Sequence, residues 1–154
     1  MIVFFPSWLW LILIPANYLI DRIVLKWSLG DMPDKGMFCK THNWKVCLAG
    51  FLADFAGALV LFAVNQLLFQ VSGENDSFMD RAANGIMFNP FSNVLSLIIV
   101  VASIALAALC IYIFDRRILA KAGLEADQAK RSALRLALIT APYLYLIPSE
   151  WIYN

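Results

Sequence analysis

The sequence predicts an all-α integral membrane protein, a compact bundle of four transmembrane helices with both termini on the non-cytoplasmic side. Three observations carry that expectation. Of the 154 residues, 62% are hydrophobic and 15% charged, whereas soluble domains run at about 45–50% apolar with about 25% charge. So short a chain has no interior large enough to hide the surplus from water. Four apolar stretches each approach the roughly 20 residues that a helix needs to cross the hydrocarbon. Lys and Arg, finally, are shared very unequally among the connectors between those stretches.

The predicted spans cover residues 2–25, 46–71, 91–114 and 134–153, in a single transmembrane domain over 1–154. The start, MIVFFPSWLWLILIPANYL, has no positive n-region, and its apolar run is too long for the h-region of a signal peptide, so it reads as a retained first span. Pro6 and Pro15 allow a kink there, tolerable where neighbouring helices satisfy the freed carbonyls. The second and third spans are uninterrupted by proline. The fourth carries Pro142 and Pro148, which leaves open a half-span or an interfacial segment.

The connectors differ in chemistry. Residues 26–45 contain SLGDMPDKG, a turn-forming composition. Residues 72–90 are acidic and Asn-rich. Residues 115–133 are strongly basic, with Gly123 expected to end one helix and Glu125 and Asp127 placed in the first turn of the next, where the helix dipole favours carboxylates. The first connector and its flanks hold Arg22, Lys26, Lys35, Lys40 and Lys45; the third holds Arg116, Arg117, Lys121, Lys130, Arg131 and Arg135; the second has Arg81 alone. The positive-inside rule therefore puts the two basic connectors in the cytoplasm and the acidic loop outside. Trp8, Trp10, Trp27, Trp44, Trp151 and Tyr153 fall near the predicted boundaries, as an aromatic belt would. With no organelle signal in view, a prokaryotic plasma membrane is the expected location. A formal net charge of +1 gives nothing that would draw nucleic acid.

Few residues could carry chemistry. Asp54 lies inside GFLADFAGALVLF, roughly 12 Å in from Val46 at 1.5 Å per residue. An ionised carboxylate there costs on the order of 2.5–3.5 kcal/mol on insertion scales, so it should be paired, wet or protonated. Depth matching puts Asn17, Ser103, Thr140 and Tyr143 in the same layer. Ala49, Ala53 and Gly57 recur every four residues, as do Gly50, Asp54 and Ala58, and such small-residue stripes let helix backbones approach closely in lipid. Asp21, Arg22, Asp115, Arg116 and Arg117 read as interfacial charges at inner helix ends, the arginines snorkelling to headgroups, with Arg135 able to reach Asp21 or Asp115. Cys39, His42 and Cys47 give C-x2-H-x4-C, one ligand short of a structural zinc site, so reduced thiols and a loop histidine are expected. No cofactor is called for.

Two functions fit. One is a non-catalytic subunit or assembly partner of a larger membrane complex, which explains short loops and small-residue stripes. The other is an oligomeric proton- or ion-coupled transporter or channel with Asp54 in its pathway. An enzyme ranks third, because no nucleophile–base pair is visible within the membrane. The expected partners are the lipid bilayer and other membrane subunits or further copies of this chain.

Overall fold

A computed structural model describes residues 9–72 and 77–151. These are helix and turn, with no strand among them. The helices are α1 (Leu9–Ser28), α2 (Lys35–Val71), α3 (Ser77–Met87), α4 (Val94–Lys121) and α5 (Ala126–Ile139), with 3-10 turns at Pro90–Ser92, Tyr143–Leu146 and Ser149–Trp151. Of these, α2 and α4 are long and apolar enough to cross a membrane. Residues 2–8 of the first predicted span, including Pro6 and Trp8, and the predicted belt residue Tyr153 lie outside the described residues.

The helices run further than the apolar pattern alone implies. α2 starts at Lys35 rather than 46, because no proline follows Pro33 until Pro90 and the polar run from Lys35 to Lys45 is made of helix-compatible residues. The predicted loop over 26–45 therefore contracts to residues 29–34. There Gly30 (φ 58°) and Asp34 (φ 59°) supply left-handed backbone, and the Lys35 ammonium donates to the Gly30 carbonyl at 2.8 Å. α4 likewise continues through Asp115 to Lys121. It ends in a paired cap, with Gly123 N–H donating to Ala120 O (3.1 Å) and Leu124 N–H to Leu119 O (3.2 Å). Gly123, at φ 94°, makes this possible, and Leu124 packs back in the same core cluster as Leu119. The predicted outer loop over 72–90 contains α3.

The largest departure is at the fourth apolar segment. Instead of one helix over 134–153, α5 stops at Ile139 after 14 residues, roughly 21 Å. Pro142 has no N–H to continue the ladder and disfavours helical backbone at Ala141. Two 3-10 turns follow.

The described residues group into two compact units, those within Pro6–Asp54 and Ala107–Ala141, and those within Phe55–Leu106 and Pro142–Asn154. In the first unit, Val24, Leu25, Leu29, Cys39, Val46, Leu119, Leu124, Ala129 and Leu136 form one buried cluster. Ala53, Ile111 and Ala137 form another. The Gln128 amide donates to Leu29 O at 3.3 Å, which ties the start of α5 to the end of α1.

In the second unit, Gly85 of α3 faces Ser96 of α4 so closely that a Cβ on Gly85 would lie 2.8 Å from Ser96 Cβ. The 3-10 turn at Ser149–Trp151 is bound to the end of α3: Ser149 N–H donates to Phe88 O at 2.8 Å, and its hydroxyl donates to Met87 O at 3.0 Å. That carbonyl pair is thereby satisfied by protein, as irregular backbone in an apolar setting requires.

Candidate functional site

Polar groups are scarce in the first unit's core, and most of those present gather around Asp21. α1 turns Asn17, Asp21, Val24, Leu25 and Ser28 to one side by i, i+3, i+4 spacing. Asp21 is 2% exposed, while its neighbour Arg22, about 100° further round the helix, is exposed. Cys47 of α2 and Thr140 at the end of α5 are within hydrogen-bonding reach of the Asp21 carboxylate. Cys47 also meets Asn17. The Thr140 hydroxyl donates its proton to Leu136 O at 2.9 Å. One turn closer to the basic connectors, the buried Asn43 amide donates to the Tyr18 carbonyl at 3.0 Å and clips α2 to α1.

Two further carboxylates lie within electrostatic range of Asp21: Asp54 on α2 and Asp115 on α4. Asp115 is 1% exposed, between the buried groups Ile111 and Leu119 on its own helix. Both of its oxygens, and Oδ2 of Asp21, are buried with no hydrogen-bond partner among the described residues. The surrounding cations all point elsewhere. Arg22, Lys26, Arg116, Arg117 and Arg135 are exposed, and the Arg135 guanidinium stands 4.6 Å from the centre of the Trp27 ring. The arrangement is a buried acidic centre inside a cationic shell. Chemically it can hold protons or meet a cation.

Asp21 and Asp115 are buried within the chain, and only their arginine neighbours are exposed. The helical face that each residue occupies sets this difference. Both fall in register with apolar residues three and four positions away: Val24 and Leu25 for Asp21, Ile111 and Leu119 for Asp115. Arg135 does not reach either aspartate. Of the predicted layer around Asp54, Asn17 and Thr140 belong to the Asp21 cluster. Ser103 is buried and Tyr143 half-exposed, both in the other unit. The small residues Ala49, Gly50, Ala53, Gly57 and Ala58 are all buried within the chain.

Comparison with protein-family models, curated proteins and solved structures finds no match to this chain.

The cysteine and histidine motif lies on α2 rather than in a loop. Cys39 and Cys47 are buried, and eight residues of helix separate them by roughly 12 Å. The His42 ring stacks on Phe38 at 4.5 Å, and its Nδ1 faces Phe38 O at 3.1 Å. Among the described residues no group of three such side chains converges on a metal position. Protein purified without added metal should carry well under one zinc per chain. One zinc per chain, lost in Cys39→Ser, would contradict this arrangement.

Proposed function

We propose that the chain is a multi-pass membrane protein that serves as a non-catalytic subunit or assembly partner of a larger membrane complex. The supporting observation is the apolar surface. Leu48, Leu52, Phe55, Leu59 and Phe62 on α2, and Ile98, Val101, Leu109 and Ile113 on α4, are all exposed on helices that could each cross the hydrocarbon. So many exposed apolar side chains on these two helices call for lipid or protein as their solvent. In this reading the chain crosses a prokaryotic plasma membrane four times with both termini outside. α1 makes the first crossing, and α5 with the following 3-10 turns completes the last. The asymmetry of Lys and Arg supports that orientation.

Cysteines introduced at Ser77 and Asn154 should label from outside intact cells, and one at Lys35 should not; the reverse pattern overturns the orientation. For the subunit role, the decisive measurement is the native mass of the detergent-purified protein with its companions identified. An unrelated membrane protein at fixed stoichiometry is expected, and a lone chain would refute the role.

The buried carboxylates favour a second reading, an oligomeric proton- or ion-coupled transporter or channel. Groups such as Asp21 and Asp115 are costly in a membrane interior and are found there chiefly along ion and proton pathways. In that case the protein self-assembles, and Asp54→Asn abolishes pH-driven flux in liposomes. In the subunit reading the same substitution leaves flux at background and affects stability alone.

A further inference from the structure

Trp27 and Arg135 mark the place where α1 and α5 meet at the surface. The two helices pack together, and the Gln128–Leu29 hydrogen bond sets the end of α1 level with the start of α5. Along the outer side of α1 run Ile20, Ile23 and Trp27, spaced i, i+3, i+7 and all exposed. Along α5 run Arg131, Arg135 and Leu138, spaced i, i+4, i+7 and likewise exposed. The Trp27–Arg135 contact joins the two rows. Polarity then changes along their length. Lys26 and Arg131 lie towards the connector ends, and the Arg135 guanidinium reaches back to Trp27, while Ile20, Ile23 and Leu138 lie further along the helices.

That sequence of polarity, cationic at one end and aliphatic beyond a tryptophan, is the complement of a phospholipid with a negative headgroup. A guanidinium offers a planar fork of donors suited to phosphate oxygens. Here its position over the indole is held by a cation–π contact. The contact that Arg135 makes here is with the Trp27 ring, and its side chain is exposed. Asp21, the acid closest along α1, is turned into the core. Asp127, one turn before Arg131, is the acid nearest this row on α5.

We infer that the α1–α5 face binds an anionic phospholipid, its phosphate on Arg135 and Arg131 and its acyl chains along Ile23 and Leu138. This rests on the membrane reading above and deepens it by naming a lipid class and a seat.

The test is thermal unfolding of the full chain in detergent with added phosphatidylglycerol, phosphatidylcholine or inorganic phosphate. Flotation with phosphatidylcholine vesicles runs alongside it. Phosphatidylglycerol should raise the midpoint saturably, by roughly 5 °C or more when well above its dissociation constant; phosphatidylcholine and inorganic phosphate should not. Measured against its own midpoint in phosphatidylcholine, Arg135→Gln should lose most of that rise, while Arg117→Gln, which removes the same charge from α4, should keep it. Equal stabilisation by both lipids, equal loss in both variants, or the same rise with inorganic phosphate overturns the site. A chain that floats with phosphatidylcholine vesicles yet shows any of those results loses the lipid site alone. A chain that does not float loses the membrane reading itself.

Discussion

Asp115→Val should raise the thermal stability of the protein. A buried polar group without a partner costs about 1–3 kcal/mol, and Asp115 presents two such oxygens at 1% exposure. It sits on α4 between Ile111 and Leu119, whose clusters bring in Ala53 and Ala137 on one side and Leu124 and Leu136 on the other. Valine is close to aspartate in volume, so it adds little overpacking. Removing a buried ionisable group in favour of a packed apolar one is often neutral or stabilising. For a chain of this length a gain of 1 kcal/mol moves the midpoint by about 2–4 °C, well within reach of a melting curve in detergent. Asp115→Asn, which keeps a polar head in the same place, should change little. A midpoint lowered by both variants would mean that the carboxylate has a stabilising ligand, and would move the balance towards the transport reading.

Gly85→Ala should act in the opposite direction, through the second unit. The added methyl would lie 2.8 Å from Ser96 Cβ and 3.0 Å from Ser92 Oγ. Ser96 has little freedom to withdraw. Its hydroxyl donates to Asn93 O at 2.7 Å and to Pro90 O at 3.2 Å, which caps the start of α4. Forcing an extra methyl into such a contact costs about 1–3 kcal/mol. The double variant Gly85→Ala with Ser96→Gly restores the space and should recover part of the loss. Ser96→Ala in place of Ser96→Gly should recover less, because it removes the hydroxyl overlap but keeps the Cβ. Additive losses in the double variant, measured as thermal midpoints, would show that the two positions do not press on one another.

Much of the helical class was legible in composition, because an apolar excess of this size in a short chain leaves helices as the economical way to satisfy the backbone. The element ends were less legible. The polar run from Lys35 to Lys45 was read as a connector from its charge, yet charge does not stop a helix; Pro33 and the left-handed Asp34 do. Gly123 was readable as a stop, because the paired cap needs a positive φ there. The Asp21 cluster was hidden by reading depth along each span without reading its face. Asn17, Asp21 and Leu25 follow one another every four residues, and that spacing would have placed Asp21 inward. The neighbours of Asp54 were not readable at all, since depth matching cannot tell which helices adjoin. The pairing of Trp27 with Arg135 is of the same kind, as it depends on which sides of α1 and α5 meet.

In the membrane reading proposed above, the unequal reach of α2 and α4 bears on the bilayer that would suit this protein. From Val46 onwards α2 has 26 residues without a lysine or arginine, roughly 39 Å of helix. Asn65, Gln66 and Gln70 mark an earlier edge some 29 Å along. Its outer turns can therefore sit among headgroups or be drawn into hydrocarbon. α4 has no such reserve. It has 21 uncharged residues before Asp115, roughly 31 Å, and its start is fixed by the Asn93 and Pro90 turn. A thicker membrane is met by α2 sliding more of Leu67 to Val71 inward, but at α4 the lipid itself must thin. In that reading the acyl chain length of the host membrane is limited by α4, the shorter of the two.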